Sequence, residues 1–233
     1  IIHLVDARLS AGEDSLTFID AAAVKAAQEI FVEGDRFFLG VGRDDNQAYF
    51  AWNTTWINPP EDDGTEEFEM RKYEGFKTLR EVGGNLDADE LALGMHAVGL
   101  ANWHWTHTHC ARCGAKTVSD LGGSVRVCPE DATQHHPRTD PAVIVLVKDK
   151  DDRILLGHQP SWPDKRFSTF AGFVETGESF EECVSREVFE EAGVYLHDIN
   201  YLTSQPWPFP ASIMIAFEGI TQRPEEARPD GTE

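Results

Sequence analysis

Residues 172–194 read GFVETGESFEECVSREVFEEAGV. Ser179 followed three positions later by Glu182 forms a capping box, and it starts a helix over about Phe180 to Ala192 that Gly193 ends. On that helix Glu187, Glu190 and Glu191 stand at i, i+3 and i+4, so the three carboxylates project from one face within reach of a common point. Like charges so placed repel one another, and divalent cations on oxygen ligands are the simplest way to offset that cost. A glutamate-rich helix taken alone is more often a solvated acidic face.

Working outward, AVIVLV (Ala142 to Val147) is a continuous apolar run typical of a buried strand, and PRTDP (Pro137 to Pro141) breaks the chain before it. Asp149 to Asp152 make a polar turn and RILLG (Arg153 to Gly157) returns, so a hairpin opens a second domain. Upstream, Asp87 with Glu90 is a helix start, and Leu91, Met95, Val98 and Trp103 recur at near-helical spacing toward a cysteine cluster. Residues 1 to about 95 alternate strand-like pieces, Phe37 to Val41 and Ala48 to Trp52, with a helical stretch around Ala21 to Phe31. Asn53 to Gly75, rich in Pro, Asp, Glu and Gly, reads as a loop. This first part holds no catalytic constellation.

The 233 residues, 41% of them hydrophobic, suffice for two modest domains with packed cores. No segment approaches the roughly 18 apolar residues that a membrane helix needs, and the N-terminus has no basic start followed by an apolar run, so a soluble cytoplasmic protein without membrane partners is expected. A chain that begins at Ile1 and stops after TQRPEEARPDGTE reads as trimmed, with its C-terminal domain incomplete. The formal charge of -21 repels phosphodiester polyanions and opposes non-specific nucleic-acid binding. An acidic protein that handles phosphates usually needs metal cations.

Cys110, Cys113 and Cys128 cluster within 19 positions, which suggests a metal site rather than a disulfide framework. Cys183, in the glutamate helix, is most simply a buried small apolar residue. Ser204 to Ser212 reads SQPWPFPAS, whose prolines give a stiff extended loop, unable to join a central sheet, that presents Trp207 and Phe209 in fixed positions.

Gly172, Glu178, Arg186, Glu187, Glu190, Glu191 and Gly193, with Val188 and Val194, match every fixed position of the Nudix box. The chain therefore resembles the Nudix hydrolases. SQPWPFPAS is similar to the QPWPFPxS signature of their NADH pyrophosphatase (NudC-type) branch, and CxxCG at Cys110 to Gly114 and PRTDPAVI at Pro137 to Ile144 extend the likeness over about residues 90 to 220. The resemblance implies an α/β (α+β) fold: a Nudix α/β/α sandwich over 138–233, an N-terminal α+β domain over 1–105 and a small zinc-ribbon insert over 106–137. It also implies a homodimer whose active sites use both subunits.

Its chemistry is hydrolysis of the pyrophosphate of NADH or NAD to nicotinamide mononucleotide and AMP. Mg²⁺ or Mn²⁺ on Glu187, Glu190 and Glu191 would neutralise the phosphate oxygens and orient water. Arg186 holds a carboxylate, Glu178 being the candidate, rather than touching substrate. The general base is a box glutamate or one on a later loop, with Glu233 near that place. Phe173 and Trp207 clamp a base, with Gln205, Ser212 and Ala171 beside them. His136 stands where the family often has an aromatic. In the ribbon the family's second CxxC is here CPED, which leaves Asp131 in the fourth ligand place, with His135, His136 and His109 as alternatives. Zinc tolerates carboxylate or imidazole there, and its role would be structural.

Two other readings compete. In one, the ribbon binds RNA beside an inactive Nudix domain, against which the charge and the complete glutamate set count. In the other, the same bond is cleaved in NAD-capped RNA.

Overall fold

The computed structural model describes residues 1–27, 31–32, 34–56, 72–229 and 231. These fall into two compact units, Ile1–Arg138 with Pro208–Ala211, and Thr139–Trp207 with the remainder from Ser212.

In the first unit, β1 (Ile2–Val5), β2 (Arg8–Ser10), β3 (Phe31–Val32), β4 (Arg36–Val41), β5 (Ala48–Trp56) and β6 (Phe76–Lys77) form one sheet, ordered β3-β5-β1-β2-β6 with β4 also on β5. Helices α1 (Ala21–Ala27), α2 (Leu79–Val82) and α3 (Ala88–Thr106) accompany it. The expected start of α3 is present: the Asp87 carboxylate accepts from the N–H groups of Asp89 and Glu90. Its buried residues Ala97, Val98, Leu100, Ala101 and Trp103 join Leu4, Leu9 and Phe37 in the core.

Two expectations fail here. The described helix spans Ala21–Ala27 and does not reach Phe31: Phe31 and Val32 pair with Trp56 and Thr55, as suits aromatic and β-branched residues beside a strand partner. The strand begun at Ala48 continues through Trp56, so Asn53–Trp56 is not loop. Residues 57–71 of the expected loop lie outside the described residues.

The cysteine segment folds into β7 (Val118–Asp120), β8 (Val125–Val127) and β9 (Gln134–His135), a three-stranded antiparallel sheet within the same unit. Buried Arg126 fastens it to α3: Nη1 donates to His104 Nδ1 at 2.7 Å, while His104 Nε2 donates to the Gly123 carbonyl at 2.8 Å. Because that carbonyl can only accept, the proton of His104 sits on Nε2 and Nδ1 is left to receive the guanidinium.

The second unit is built on β10 (Asp140–Lys148), β11 (Ile154–Leu155), β12 (Phe170–Phe173), β13 (Leu196–Trp207) and β14 (Ser212–Thr221), ordered β11-β10-β14-β13 with β12 also on β10. The β10–β11 hairpin is the one expected. β10 pairs parallel to β14 and is central, which is why it is apolar from Pro141 to Val147. Val143, Val145 and Val147 face helix α4 (Phe180–Ala192), whose Cys183, Val184, Val188 and Ala192 complete the core. Each fully buried valine contributes about 1.5 to 3 kcal/mol. The α4 capping box is complete, and Gly193 ends the helix in the left-handed region at φ 70°, where a side chain would be strained. Of the two helical layers of a sandwich, the described residues supply this one.

Ser204 to Trp207 are strand, not loop: they continue β13 against β14, with Pro206 opposite Ile213. The edge position permits this, because β13 has β14 as its only strand neighbour in the sheet order and the donor that proline lacks is not needed on the open side. Only Pro208–Ala211 leave the sheet, and they pack in the first unit, where Asn102 Nδ2 donates to the carbonyls of Pro208 and Pro210 at 3.0 and 3.2 Å.

Candidate active site and metal centre

The glutamate helix meets the sheet at Gly172. A β-carbon there would meet the carboxylate of Glu187, so the glycine leaves room for this side chain to lie against the strand in the position it takes. Arg186 gathers the neighbouring acids: Nε and Nη2 donate to Glu178 at 2.8 and 3.0 Å, and Nη1 donates to Glu187 at 2.8 Å and Glu190 at 3.1 Å. Its Nη2 also reaches the Phe173 carbonyl at 3.1 Å. This fork geometry holds Glu178 bidentately. Glu191, one turn after Glu187 on the same helix, lines a cavity with His158 and Trp162. Glu233 lies outside the described residues.

The Arg186 guanidinium, aided by the Glu175 N–H, holds the Glu178 carboxyl down to about 2 against an ordinary 4.5. A carboxyl whose folded pKa is depressed contributes stability above its unfolded value and loses it as pH falls toward the folded one. Acidification from about 4.5 to 2 should therefore lower the melting temperature more steeply in the natural chain than in Glu178→Gln. Parallel curves would show that the pair contributes nothing to folding. Burial pushes the Cys183 thiol up to about 12, so it is a neutral apolar filler as expected.

Strand register places the aromatic residues. Ala142 pairs with both Phe173 and Met214, Met214 pairs with Gln205, and Trp207 pairs with Ser212. Ala171 faces Ile144 in the next row. Because side chains alternate along a strand, Phe173, Ala171, Gln205, Trp207 and Ser212 all stand on the sheet face opposite the valines that meet α4. Phe173 is 61% exposed there. A cavity of about 260 Å³ opens on this face between Ile144, Met214, Gln205 and Trp207.

In the ribbon, two turns of the same form face each other. Gly114 N–H donates to the Cys110 carbonyl at 2.9 Å, and Ala132 N–H to the Cys128 carbonyl at 3.0 Å. Cys113 and Asp131 occupy equivalent third places, and Ala132 takes the left-handed conformation that Gly114 takes in the first turn. The donor atoms of Cys110, Cys113, Cys128 and Asp131 all lie within 4.8 Å of one another, the only such cluster among the described residues. The Sγ atoms of Cys113 and Cys128 are 3.5 Å apart. A tetrahedral zinc thiolate site needs about 3.8 Å between sulfurs, so the donor set fits zinc. Asp131 accepts the Thr133 N–H at 2.9 Å, which holds its carboxyl down to about 2 and keeps it anionic. Cys110 is lowered to about 7, chiefly by the Cys113 backbone N–H. His135 lies beside Cys110 outside this cluster, and His136 is exposed.

His158 and Trp162 were not singled out from the sequence, although the string QPSWP at Gln159–Pro163 resembles QPWP at Gln205–Pro208 and could have marked them.

Residues 138–233 match the NUDIX domain, so the chain carries a Nudix domain. Residues 106–135 match the NADH pyrophosphatase zinc ribbon domain. Over 148 residues the chain is 46% identical to the NAD-capped RNA hydrolase NudC of Mycobacterium bovis, covering 64% of this chain and 47% of that protein. Over 151 residues it is 40% identical to the human mitochondrial NAD(P)H pyrophosphatase NUDT13, covering 64% and 43%. The chain spans about half the length of the curated relatives it matches. A solved NUDIX hydrolase from Nitrosomonas europaea is similar at 20% identity and TM-score 0.41, covering 49% of this chain and 67% of that one. No described helix is long and apolar enough to cross a membrane.

Proposed function

We propose that this chain hydrolyses the pyrophosphate of NADH or NAD to nicotinamide mononucleotide and AMP. One observation carries the reading: Phe173 turns its ring to the face shared with Trp207, Gln205 and Ser212, while its carbonyl is bound by the Arg186 that gathers Glu178, Glu187 and Glu190. Phe173 thus links the face proposed for the base to the acidic cluster on the α4 side of the sheet. Glu187, Glu190 and Glu191 would hold Mg²⁺ or Mn²⁺, which when bound neutralises the phosphate oxygens and polarises water. Arg186 and Glu178 fix the helix against the loop. A box glutamate or Glu233 takes the proton from the attacking water.

Incubation with NADH, NAD, ADP-ribose and NAD-capped RNA, with and without Mg²⁺, should release AMP and the mononucleotide from NADH only when metal is present. No release from any of them would overturn the reading. Preference for the capped RNA would favour the decapping activity named for the mycobacterial relative, which breaks the same bond but must overcome the charge of -21.

The same reading divides the chain into an N-terminal domain at 1–105, the ribbon at 106–137 and the Nudix domain at 138–233, in a cytoplasmic homodimer with composite sites. Light scattering that finds a fully active monomer would remove the dimer. The ribbon, with little core of its own, would carry about one zinc per chain on Cys110, Cys113, Cys128 and Asp131. Elemental analysis of protein purified without chelator should find it, and its removal should unfold the ribbon. A metal-free preparation with an ordered ribbon would sink this part.

A further inference from the structure

The dinucleotide reading needs a place for two nucleosides, and the face bearing Trp207 provides one. The second unit holds another cavity, of about 200 Å³, at the connection between β11 and β12. Glu191 forms one wall, and His158, Gln159 and Trp162 form another. The connection is anchored where Gly157 and Ser168 exchange backbone hydrogen bonds of 2.9 and 3.0 Å. Inside it, His158 Nδ1 donates to the Arg166 carbonyl at 2.6 Å, so the proton of the neutral ring sits on Nδ1 and Nε2 can accept. The Arg166 guanidinium lies over the Trp162 ring at 5.1 Å and holds the indole in place.

The two cavities are neighbours. Ala171 lines this one, its cross-strand partner Ile144 lines the other, and such partners have β-carbons only about 4.5 to 5.5 Å apart. Their volumes, about 200 and 260 Å³, are each below the roughly 300 Å³ at which pockets begin to take a drug-sized ligand whole, so each fits one part of a larger molecule. Each is also walled by a glutamine and a tryptophan from a Gln-Pro/Trp-Pro string: Gln159 and Trp162 here, Gln205 and Trp207 there.

Resting on the pyrophosphatase reading, we propose that the Glu191 cavity is a second nucleoside subsite. It takes the half of the dinucleotide not held by Phe173 and Trp207, with Trp162 stacking on its base and His158 Nε2 accepting from a ribose hydroxyl. Trp162 and His158 are then specificity-determining residues for the far side of the cleaved bond.

The test is calorimetric binding of AMP and of nicotinamide mononucleotide, separately and with Mg²⁺, to the natural chain, Trp162→Ala, Trp162→Phe and Trp207→Ala. Trp162→Ala should weaken one mononucleotide by at least about fivefold, the lower end of what a stacked base is worth, and leave the other within about twofold. Trp207→Ala should show the opposite pattern, and Trp162→Phe should retain most of the affinity. His158→Gln should weaken the same mononucleotide as Trp162→Ala. If both tryptophan variants weaken the same mononucleotide, or Trp162→Ala weakens neither while the natural chain cleaves NADH, the second subsite is refuted and the pyrophosphatase reading stands. If the natural chain neither binds a mononucleotide nor cleaves NADH, both fall together.

Discussion

Replacing Glu190 or Glu191 by glutamine should lower NADH turnover at saturating Mg²⁺ by at least about a hundredfold while leaving the melting temperature nearly unchanged. The size follows from where the charge acts. Residues that merely support a metal ligand cost about 10- to 100-fold when removed, so losing a ligand itself costs more. The fold should survive because the buried face of α4 is made by Cys183, Val184, Val188 and Ala192, and Glu190 is 57% exposed. Its contact with Arg186, an exposed i,i+4 pair, is worth less than about 1 kcal/mol. Glutamine keeps the size and one acceptor oxygen but removes the charge that a divalent cation needs. Near-normal turnover in both variants would take these residues out of the metal site.

Trp207→Ala should fail in a different way, raising KM for NADH about 5- to 150-fold with kcat changed little. A stacking contact present equally in ground and transition states affects binding alone, whereas a metal ligand affects the chemical step. The range is about 1 to 3 kcal/mol, the worth of one stacked base. Trp207 ends β13 opposite Ser212, so truncation could also fray the strand end. Trp207→Phe is the control, since it keeps an aromatic in the strand and should keep most of the affinity. An unchanged KM with a kcat as low as that of Glu191→Gln would mean that this strand end shapes the catalytic centre and does not read the base.

What the sequence determined by itself was local. The glutamate helix was legible to the residue because its signals act within a turn or two: the Ser179–Glu182 box, the i, i+3, i+4 carboxylates and the left-handed Gly193. The β10–β11 hairpin and the start of α3 at Asp87 were legible for the same reason. The ribbon's three cysteines and Asp131 were readable from spacing, since each turn brings residues i and i+3 together.

Tertiary structure decided what depends on pairing between distant segments. The prolines around Trp207 spoke locally for a loop, yet the segment is strand because it lies at the sheet edge, where a missing N–H costs nothing. Phe173, Gln205 and Ser212 share a face only because β10 pairs parallel with β14 some 70 residues away, a register that no local pattern encodes. Glu191 stood in the motif beside Glu190, but long-range packing set it against His158 and Trp162, where side chains from two segments enclose one cavity.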